Sequence, residues 1–177
     1  MATAYSNRAS DYPPAFRRAM ARVLSDEGGY VDNPADAGGE TKFGICKRDY
    51  PQLDIKSLTK EAAAAIYYRD WWLRFNYSEL PGLAGVKLFD LAVNIGPVHA
   101  AKCLQRALRA CGKPLLEDGV LGKQTCAAAA AANQLALIAA LRSEAAGYYR
   151  ILAALARGRR PNGDREFLAG WLNRAYE

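Results

Sequence analysis

Three residues in the first quarter of the chain have the types and the spacing to hydrolyse a glycosidic bond: Glu27, Asp36 and Thr41. Glu27 lies in the last turn of a predicted helix, just before Gly28 and Gly29. The C-terminal end of a helix is partially negative, which disfavours an ionised carboxylate and raises its pKa. A carboxyl group that stays protonated near neutral pH can donate a proton to a leaving sugar oxygen. We therefore predict that Glu27 is a general acid.

Asp36 follows Glu27 by nine residues, and Thr41 follows Asp36 by five. A short β-hairpin at this point would fold back so that both side chains face the helix end across a cleft. Asp36 would stay ionised there, and Thr41 would hold a water molecule between the two carboxyl groups. The spacing alone leaves a second interpretation open, in which a helix-terminal glutamate and a turn aspartate share no chemistry.

Hydrophobic periodicity and turn residues predict the elements that must position these side chains. A first helix spans Pro14 to Asp26, and residues 30–45 are typical of a small hairpin or irregular β lobe. Thr59 is a predicted N-cap. The other predicted helices are Ala62–Phe75, Leu83–Ile95, Val98–Ala110, a long alanine-rich helix that follows the 112–122 loop and runs towards Arg142, and Arg165–Tyr176. The predicted fold is mainly α, with one small β-hairpin lobe bordering the active-site cleft.

The net charge of +6 lies entirely in the second half of the chain. Residues 1–98 contain 12 Lys and Arg against 12 Asp and Glu, whereas residues 99–177 contain 12 against 6. A basic half suits an anionic partner such as a bacterial envelope, including an outer-membrane surface, or else only aids solubility. The basic residues are scattered among alanines and form no nucleic-acid recognition motif, so we expect no nucleic-acid partner.

The cysteines and the N-terminus indicate the cellular compartment. Cys103 and Cys111 lie two helical turns apart, about 12 Å along the axis, which is too far for a disulfide. With one histidine in the chain, we expect no metal site and no cofactor, and we interpret the cysteines as core residues in a reducing compartment. No apolar run typical of a signal peptide begins the chain. The uncharged stretch 124–141 is mostly alanine, so we expect a buried helix and no membrane span.

Two neighbouring motifs, EGGY at 27–30 and DAGGETKFGI at 36–45, resemble the signature of glycoside hydrolase family 108. That family comprises bacterial and phage N-acetylmuramidases with a lysozyme-like fold. The resemblance implies that Glu27 is the catalytic residue. The Glu–Asp–Thr spacing is also similar to that of phage-type lysozymes, where the three residues flank the scissile bond, and this similarity implies roles for Asp36 and Thr41.

Two further stretches extend the resemblance to roughly residues 21–173. FDLAVNIGP at 89–97 resembles the central helix of the family, and LQRAL at 104–108 through DGVLGKQT at 118–125 resembles its peptidoglycan-binding region. We therefore predict a flexible tail over residues 1–14, a lysozyme-like catalytic lobe over 15–97, and a basic, helical, peptidoglycan-binding-like lobe over 98–177. We expect the two lobes to pack as one globular, monomeric unit.

Several polar residues are candidates for substrate binding. Tyr30 is close to Glu27 in sequence and is predicted to line the cleft. Asp90 and Asn94 are four residues apart on an otherwise apolar helix and therefore share a face. They could hydrogen-bond sugar hydroxyl or N-acetyl groups, or alternatively cap neighbouring backbone.

Two aromatic pairs occur four residues apart on the predicted Ala62–Phe75 helix. One pair must be core, and the other could stack on a pyranose ring. We assign Tyr68 and Trp72 as candidate sugar contacts, with core packing of both pairs as the alternative.

These features together predict hydrolysis of the β-1,4 bond between N-acetylmuramic acid and N-acetylglucosamine. We expect a phage or prophage endolysin made in the host cytoplasm, which reaches the periplasmic cell wall once a holin opens the inner membrane. A secretion-assisting relative fits the same sequence. The residues also leave open a lytic transglycosylase, which uses a single glutamate and no water, and a non-catalytic wall-binding protein.

Overall fold

The computed structural model describes residues 9–26, 29–32, 39–155 and 165–177. The chain divides into two compact units, residues 1–78 and residues 79–177. The described residues are mostly helical with a small antiparallel sheet, which confirms the predicted mainly α, lysozyme-like fold class.

The first unit begins with a 3-10 turn, Ala9–Asp11, and helix α1, Pro14–Asp26, whose bounds match the prediction. The α1 side chains of Phe16, Met20 and Val23 are buried. They recur at helical spacing on one face, and their burial anchors α1 to the core of this unit.

A hairpin follows, formed by β1, Thr41–Lys42, and β2, Ile45–Cys46, with Thr41 opposite Cys46. Both turn residues have positive φ, 52° at Phe43 and 74° at Gly44, as in the type I′ turns that suit two-residue hairpins. Glycine adopts this conformation freely, whereas a phenylalanine there is strained. The predicted small β lobe is confirmed at residues 41–46.

Helix α2, Lys60–Tyr67, begins at the predicted N-cap, where the Thr59 hydroxyl accepts from the backbone N–H of Ala62 at 3.2 Å. It continues as a π-helical turn, Tyr68–Leu73, and a 3-10 turn follows at Tyr77–Glu79. The prediction of one continuous α-helix to Phe75 is therefore wrong. Hydrophobic periodicity does not reveal such a turn. A π segment shifts the positions of the buried side chains along the sequence by only one residue.

The second unit contains five helices within its described part: α3, Gly82–Ile95; α4, Pro97–Ala110; α5, Lys123–Ala130; α6, Gln134–Leu155; and α7, Arg165–Tyr176. Helix α6 packs against α3, α4 and α7. The largest buried aliphatic side chains of this unit are leucines, and the most deeply buried are Leu88, Leu91, Leu104, Leu108, Leu137 and Leu141. No helix among the described residues has the length and apolarity needed to cross a bilayer.

The predicted long alanine-rich helix is interrupted between α5 and α6 and is corrected to two helices. The side chain of Asn133 accepts from the backbone N–H of Ala136 at 3.1 Å, as an N-cap does. The Gln134 amide donates to the carbonyl oxygens of Ala129 at 2.8 Å and Ala132 at 3.0 Å. These polar side chains satisfy the backbone groups that the break would otherwise leave exposed.

Candidate active site

Glu27 and Asp36, the two predicted catalytic carboxyl groups, lie outside the described residues. The structure does describe what flanks them in sequence: α1 up to Asp26, residues 29–32, and the hairpin from residue 39 onward. The site is therefore built here from Tyr30, Thr41 and their surroundings in the first unit.

Thr41 is held on both sides by backbone pairing. Its N–H donates to the Val31 carbonyl at 2.8 Å, and its own carbonyl accepts from the Val31 N–H at 2.9 Å. On its other side Thr41 pairs with Cys46 in the hairpin. The Thr41 hydroxyl is part-buried and donates to the Gly39 carbonyl at 3.3 Å. The segment that follows Glu27 in sequence is thus joined to the strand that contains Thr41.

Tyr30 joins the same two segments through its side chain. Its hydroxyl donates to a carboxylate oxygen of Glu40 at 3.1 Å. Burial raises the pKa of Tyr30, and the hydrogen bond to the Glu40 carboxylate raises the pKa further, so the phenol stays protonated. Tyr30 and Thr41, which the sequence predicts separately, therefore lie on adjacent, hydrogen-bonded backbone segments. The sequence does not single out Glu40, the partner of Tyr30.

Long side chains pin the hairpin to neighbouring backbone. The Lys42 ammonium donates to the carbonyl of Lys56 at 2.8 Å, and the Lys47 ammonium donates to the carbonyl of Leu53 at 2.7 Å. At the turn, the Tyr67 hydroxyl donates to the carbonyl of Phe43 at 3.1 Å. These contacts hold the strained turn in one conformation, as strain at a functional site requires.

Trp71 is a half-buried aromatic residue that the sequence does not single out as a sugar contact. Its ring lies 5.9 Å from that of Tyr67, which contacts the hairpin turn. A hydrogen bond links Trp71 to Tyr50, whose hydroxyl donates to the Asp70 carboxylate at 3.2 Å. Hydrogen bonds from Arg69 lower the pKa of Asp70 and so keep this acceptor ionised. The indole is thus fixed in orientation beside a residue that contacts the hairpin turn.

Tyr68 and Trp72, the predicted sugar contacts, belong to an aromatic cluster. The Trp72 ring lies 5.4 Å from Phe16 and 6.0 Å from Tyr77, and the side chain is 1% exposed. Tyr68 is half-buried, with its ring 4.9 Å from those of Tyr12 and Phe16. Burial argues against a stacking role for Trp72 and favours the alternative of core packing.

Asp90 and Asn94 lie in the second unit, on α3. Asp90 is 1% exposed, with a carboxylate oxygen 3.9 Å from the Lys87 ammonium. The Asn94 amide donates to the Asp90 backbone carbonyl at 2.8 Å and accepts from the Arg174 guanidinium. The bond to the Asp90 carbonyl favours the alternative of backbone support for Asn94, whereas the Asp90 carboxylate faces the Lys87 ammonium. No group of three or more His, Cys, Asp and Glu side chains in the described ranges is arranged to share a metal ion.

The chain was compared with known families and structures. Residues 20–96 match the family model described as Glycosyl hydrolase 108, and residues 99–176 match the model described as Predicted Peptidoglycan domain. A solved structure, SagA of Brucella abortus, is similar at 30% sequence identity with a TM-score of 0.67, over 90% of this chain and 92% of that one. The chain belongs to glycosyl hydrolase family 108. No match was found among curated proteins.

Membership in family 108 confirms the resemblance predicted from the 27–30 and 36–45 motifs. The family 108 model covers the end of α1, the hairpin, α2 and α3, whereas the peptidoglycan model covers α4 to α7. As a family 108 protein with this second region, the chain is a glycoside hydrolase of peptidoglycan.

Proposed function

We propose that the chain is an N-acetylmuramidase, which hydrolyses the β-1,4 bond between N-acetylmuramic acid and N-acetylglucosamine. One observation carries this proposal beyond family membership. Val31, four residues after Glu27, pairs with Thr41 of the hairpin. That pairing supports a site in which the end of α1 and the hairpin act together, as the Glu27, Asp36 and Thr41 spacing requires.

The proposed reaction assigns one task to each of these residues. The Glu27 carboxyl transfers its proton to the glycosidic oxygen while the bond from that oxygen to C1 of the muramic acid breaks. A water oxygen then forms the new bond to C1, and its proton passes to the Asp36 carboxylate. Thr41 positions that water. If the mechanism is inverting, the two carboxyl groups lie roughly 6.5–9.5 Å apart, whereas about 5 Å would indicate a covalent intermediate.

The proposed biological role is that of a phage or prophage endolysin, made in the host cytoplasm and admitted to the periplasmic wall by a holin. A secretion-assisting role in the cell wall uses the same chemistry. The sequence motifs that support hydrolysis are equally compatible with both settings. Lysis of host cells on co-expression with a holin, and its loss with a Glu27→Gln variant, would support the first, whereas no more lysis than with the holin alone would contradict it.

Mass spectrometry of the fragments released from purified sacculi tests the proposed activity directly. A muramidase releases fragments with a reducing muramic acid end. A 1,6-anhydro end would instead indicate a lytic transglycosylase, and a reducing glucosamine end would indicate cleavage of the other glycosidic bond. Binding without release would identify a wall-binding protein. Glu27→Gln is the matched control, because general acid catalysis contributes about 10²–10⁴-fold and the amide is nearly isosteric.

A further inference from the structure

The loop between α4 and α5 is held against α4 by one buried side chain, Gln105, which is 1% exposed. Its amide nitrogen donates to the Asp118 carboxylate at 2.6 Å and to the Val120 carbonyl at 3.1 Å. Its amide oxygen accepts from the Gly119 N–H at 2.9 Å. Because both the nitrogen and the oxygen of this buried amide are hydrogen-bonded to the loop, the amide holds the loop in a defined conformation.

Gly119 brings this loop into direct contact with the first turns of α4. Its φ is 76°, and a Cβ at this position would lie 2.8 Å from a methyl carbon of Val98 and 3.4 Å from the Lys102 side chain. The loop backbone therefore approaches α4 closely enough that only glycine fits. Val98 and Lys102 therefore form one surface with the loop at Gly119, and Val120 adjoins it in sequence.

This surface exposes apolar groups although its backbone is rigidly held. Val98 is 51% exposed and Val120 is 57% exposed. On the other side of Val98, the exposed His99 ring lies 5.3 Å from the ring of Tyr148. We call Val98, His99, Lys102, Val120 and Tyr148 the α4 surface. The α4 surface thus presents two valine side chains to solvent on a rigidly held support.

The α4 surface also carries positive charge. It lies at the first turns of α4, where the N-terminal end of the helix is partially positive. The nearby Glu117 carboxylate accepts from Arg106 at 2.5 Å and lies 3.7 Å from Arg109, so its charge is matched by these two arginines. Lys102 also acts on the Glu117 carboxylate, so three cations, Lys102, Arg106 and Arg109, surround one carboxylate and together lower its pKa. This excess of positive charge beside the α4 surface suits an external carboxylate.

We propose that the α4 surface binds the stem peptide of peptidoglycan. Stem peptides are short and combine alanine methyl groups with free carboxylates. Those groups complement the valine methyls and the excess positive charge of Lys102, Arg106 and Arg109 around Glu117, whereas an uncharged glycan strand would leave that excess unmatched. This inference rests on the assignment of peptidoglycan as the substrate and adds the part of the polymer that the second unit binds.

The test uses the full chain and a free tetrapeptide stem, which has no glycosidic bond, titrated by calorimetry or NMR. Lys102→Gln is expected to weaken binding about tenfold, which corresponds to about 1.4 kcal/mol, because the variant loses a charge-assisted hydrogen bond. The double variant Val98→Ser, Val120→Ser is expected to weaken it about threefold or more. Lys123→Gln and Leu135→Ser remove an exposed charge and an exposed apolar side chain elsewhere in the unit, and both should bind like the wild type.

The peptide-free glycan chitotetraose is the second probe. The proposal is overturned if the tetrapeptide does not bind, if Lys102→Gln binds it unchanged, or if chitotetraose perturbs the α4 surface and the tetrapeptide does not. Thermal unfolding of each variant shows whether the fold is retained. Fragment release from sacculi is measured separately. Release without tetrapeptide binding would overturn this inference alone, whereas tetrapeptide binding without release would overturn the proposed hydrolysis alone.

Discussion

The hydroxyl of Tyr67 donates to the carbonyl oxygen of Phe43 at 3.1 Å, and thereby joins the end of α2 to a hairpin turn of positive φ. Tyr67→Phe would leave that carbonyl without this donor and should lower the free energy of unfolding by about 1–2 kcal/mol. Because the turn follows Thr41 closely, fragment release should fall as well. Urea unfolding and sacculus digestion measure the two effects. Tyr176→Phe, which removes an exposed hydroxyl, is the control, and equal behaviour of both variants would contradict the prediction.

Trp71 is half-buried and its neighbour Trp72 is fully buried. Substitution of Trp71 should therefore affect substrate binding, whereas substitution of Trp72 should affect stability. If the half-buried Trp71 ring stacks on a sugar, Trp71→Ala should raise the KM for soluble glycan fragments about three- to tenfold with little change in kcat. Trp72→Phe removes part of a core side chain and should instead lower the free energy of unfolding by about 1–3 kcal/mol. Steady-state kinetics and urea unfolding distinguish the two. An unchanged KM for Trp71→Ala would refute the stacking role.

The Thr41 hydroxyl can be removed with little change in shape. Thr41→Val keeps the β-branched side chain that suits a strand, whereas Thr41→Ser keeps the hydroxyl. If Thr41 positions the attacking water, the valine variant should lose about ten- to a hundredfold in kcat, and the serine variant should retain most of its activity. Thermal unfolding should be similar for both variants, because their backbone pairing with Val31 is unchanged. Equal kcat values for the two variants would remove Thr41 from the mechanism.

The loop on α4 should respond to acid. The hydrogen bond from Gln105 lowers the pKa of Asp118, and the hydrogen bond from Arg106 lowers the pKa of Glu117. A carboxylate whose pKa is lower in the folded than in the unfolded chain stabilises the fold fully at pH values above the unfolded pKa of about 4. This stabilisation is lost as the pH falls through the lower, folded pKa. Asp118→Asn and Glu117→Gln should therefore flatten the decline of the urea midpoint below about pH 4. Glu61→Gln, which removes an equal charge from the first unit, is the matched charge control, and a decline unchanged by Asp118→Asn and Glu117→Gln would contradict the prediction.

Thiol reactivity should divide the four cysteines into two pairs. Burial raises the pKa of Cys103 to about 11 and also raises the pKa of Cys126. At about pH 8 these thiols are protonated and covered, so a disulfide reagent should modify them only on unfolding. Cys46 and Cys111 are partly exposed and should react first. Mass spectrometry of the labelled native chain measures the order, and early labelling of Cys103 would contradict it.

Elements bounded by strong local signals were predictable from the sequence. Helix α1 begins at a proline and keeps its apolar residues on one face, and Thr59 caps α2 as its residue type suggests. The break at Asn133 was not predictable, because the alanines around it favour a helix on either side. In that context, only the side-chain bonds of Asn133 and Gln134 reveal the interruption.

Only those residues of the candidate site that lie within the two short sequence motifs at 27–30 and 36–45 could be predicted from the sequence. These motifs contain Tyr30 and Thr41, which lie on adjacent, hydrogen-bonded segments of the first unit. The sequence does not show that Trp72 is buried and Trp71 partly exposed. That difference depends on the π-helical turn and on packing against Phe16, which is more than 50 residues away from Trp72 in sequence. Likewise Gln105 resembles an ordinary helical polar residue until the loop at Asp118 folds over it.

The buried ammonium of Lys87 has a consequence for how such chains can be recombined. Lys87 lies on α3, in the region that matches the hydrolase family, and donates to the backbone carbonyl of Arg174 near the end of α7. A chimera joined between residues 96 and 99, where the two matched regions meet, would exchange α7 without α3. An exchanged α7 that packs differently would not place a carbonyl at this point and would leave an interior cation short of an acceptor, which is destabilising. Crossovers that preserve folding should instead fall near Ser78, so that α3 is inherited with the peptidoglycan-binding helices and not with the hairpin.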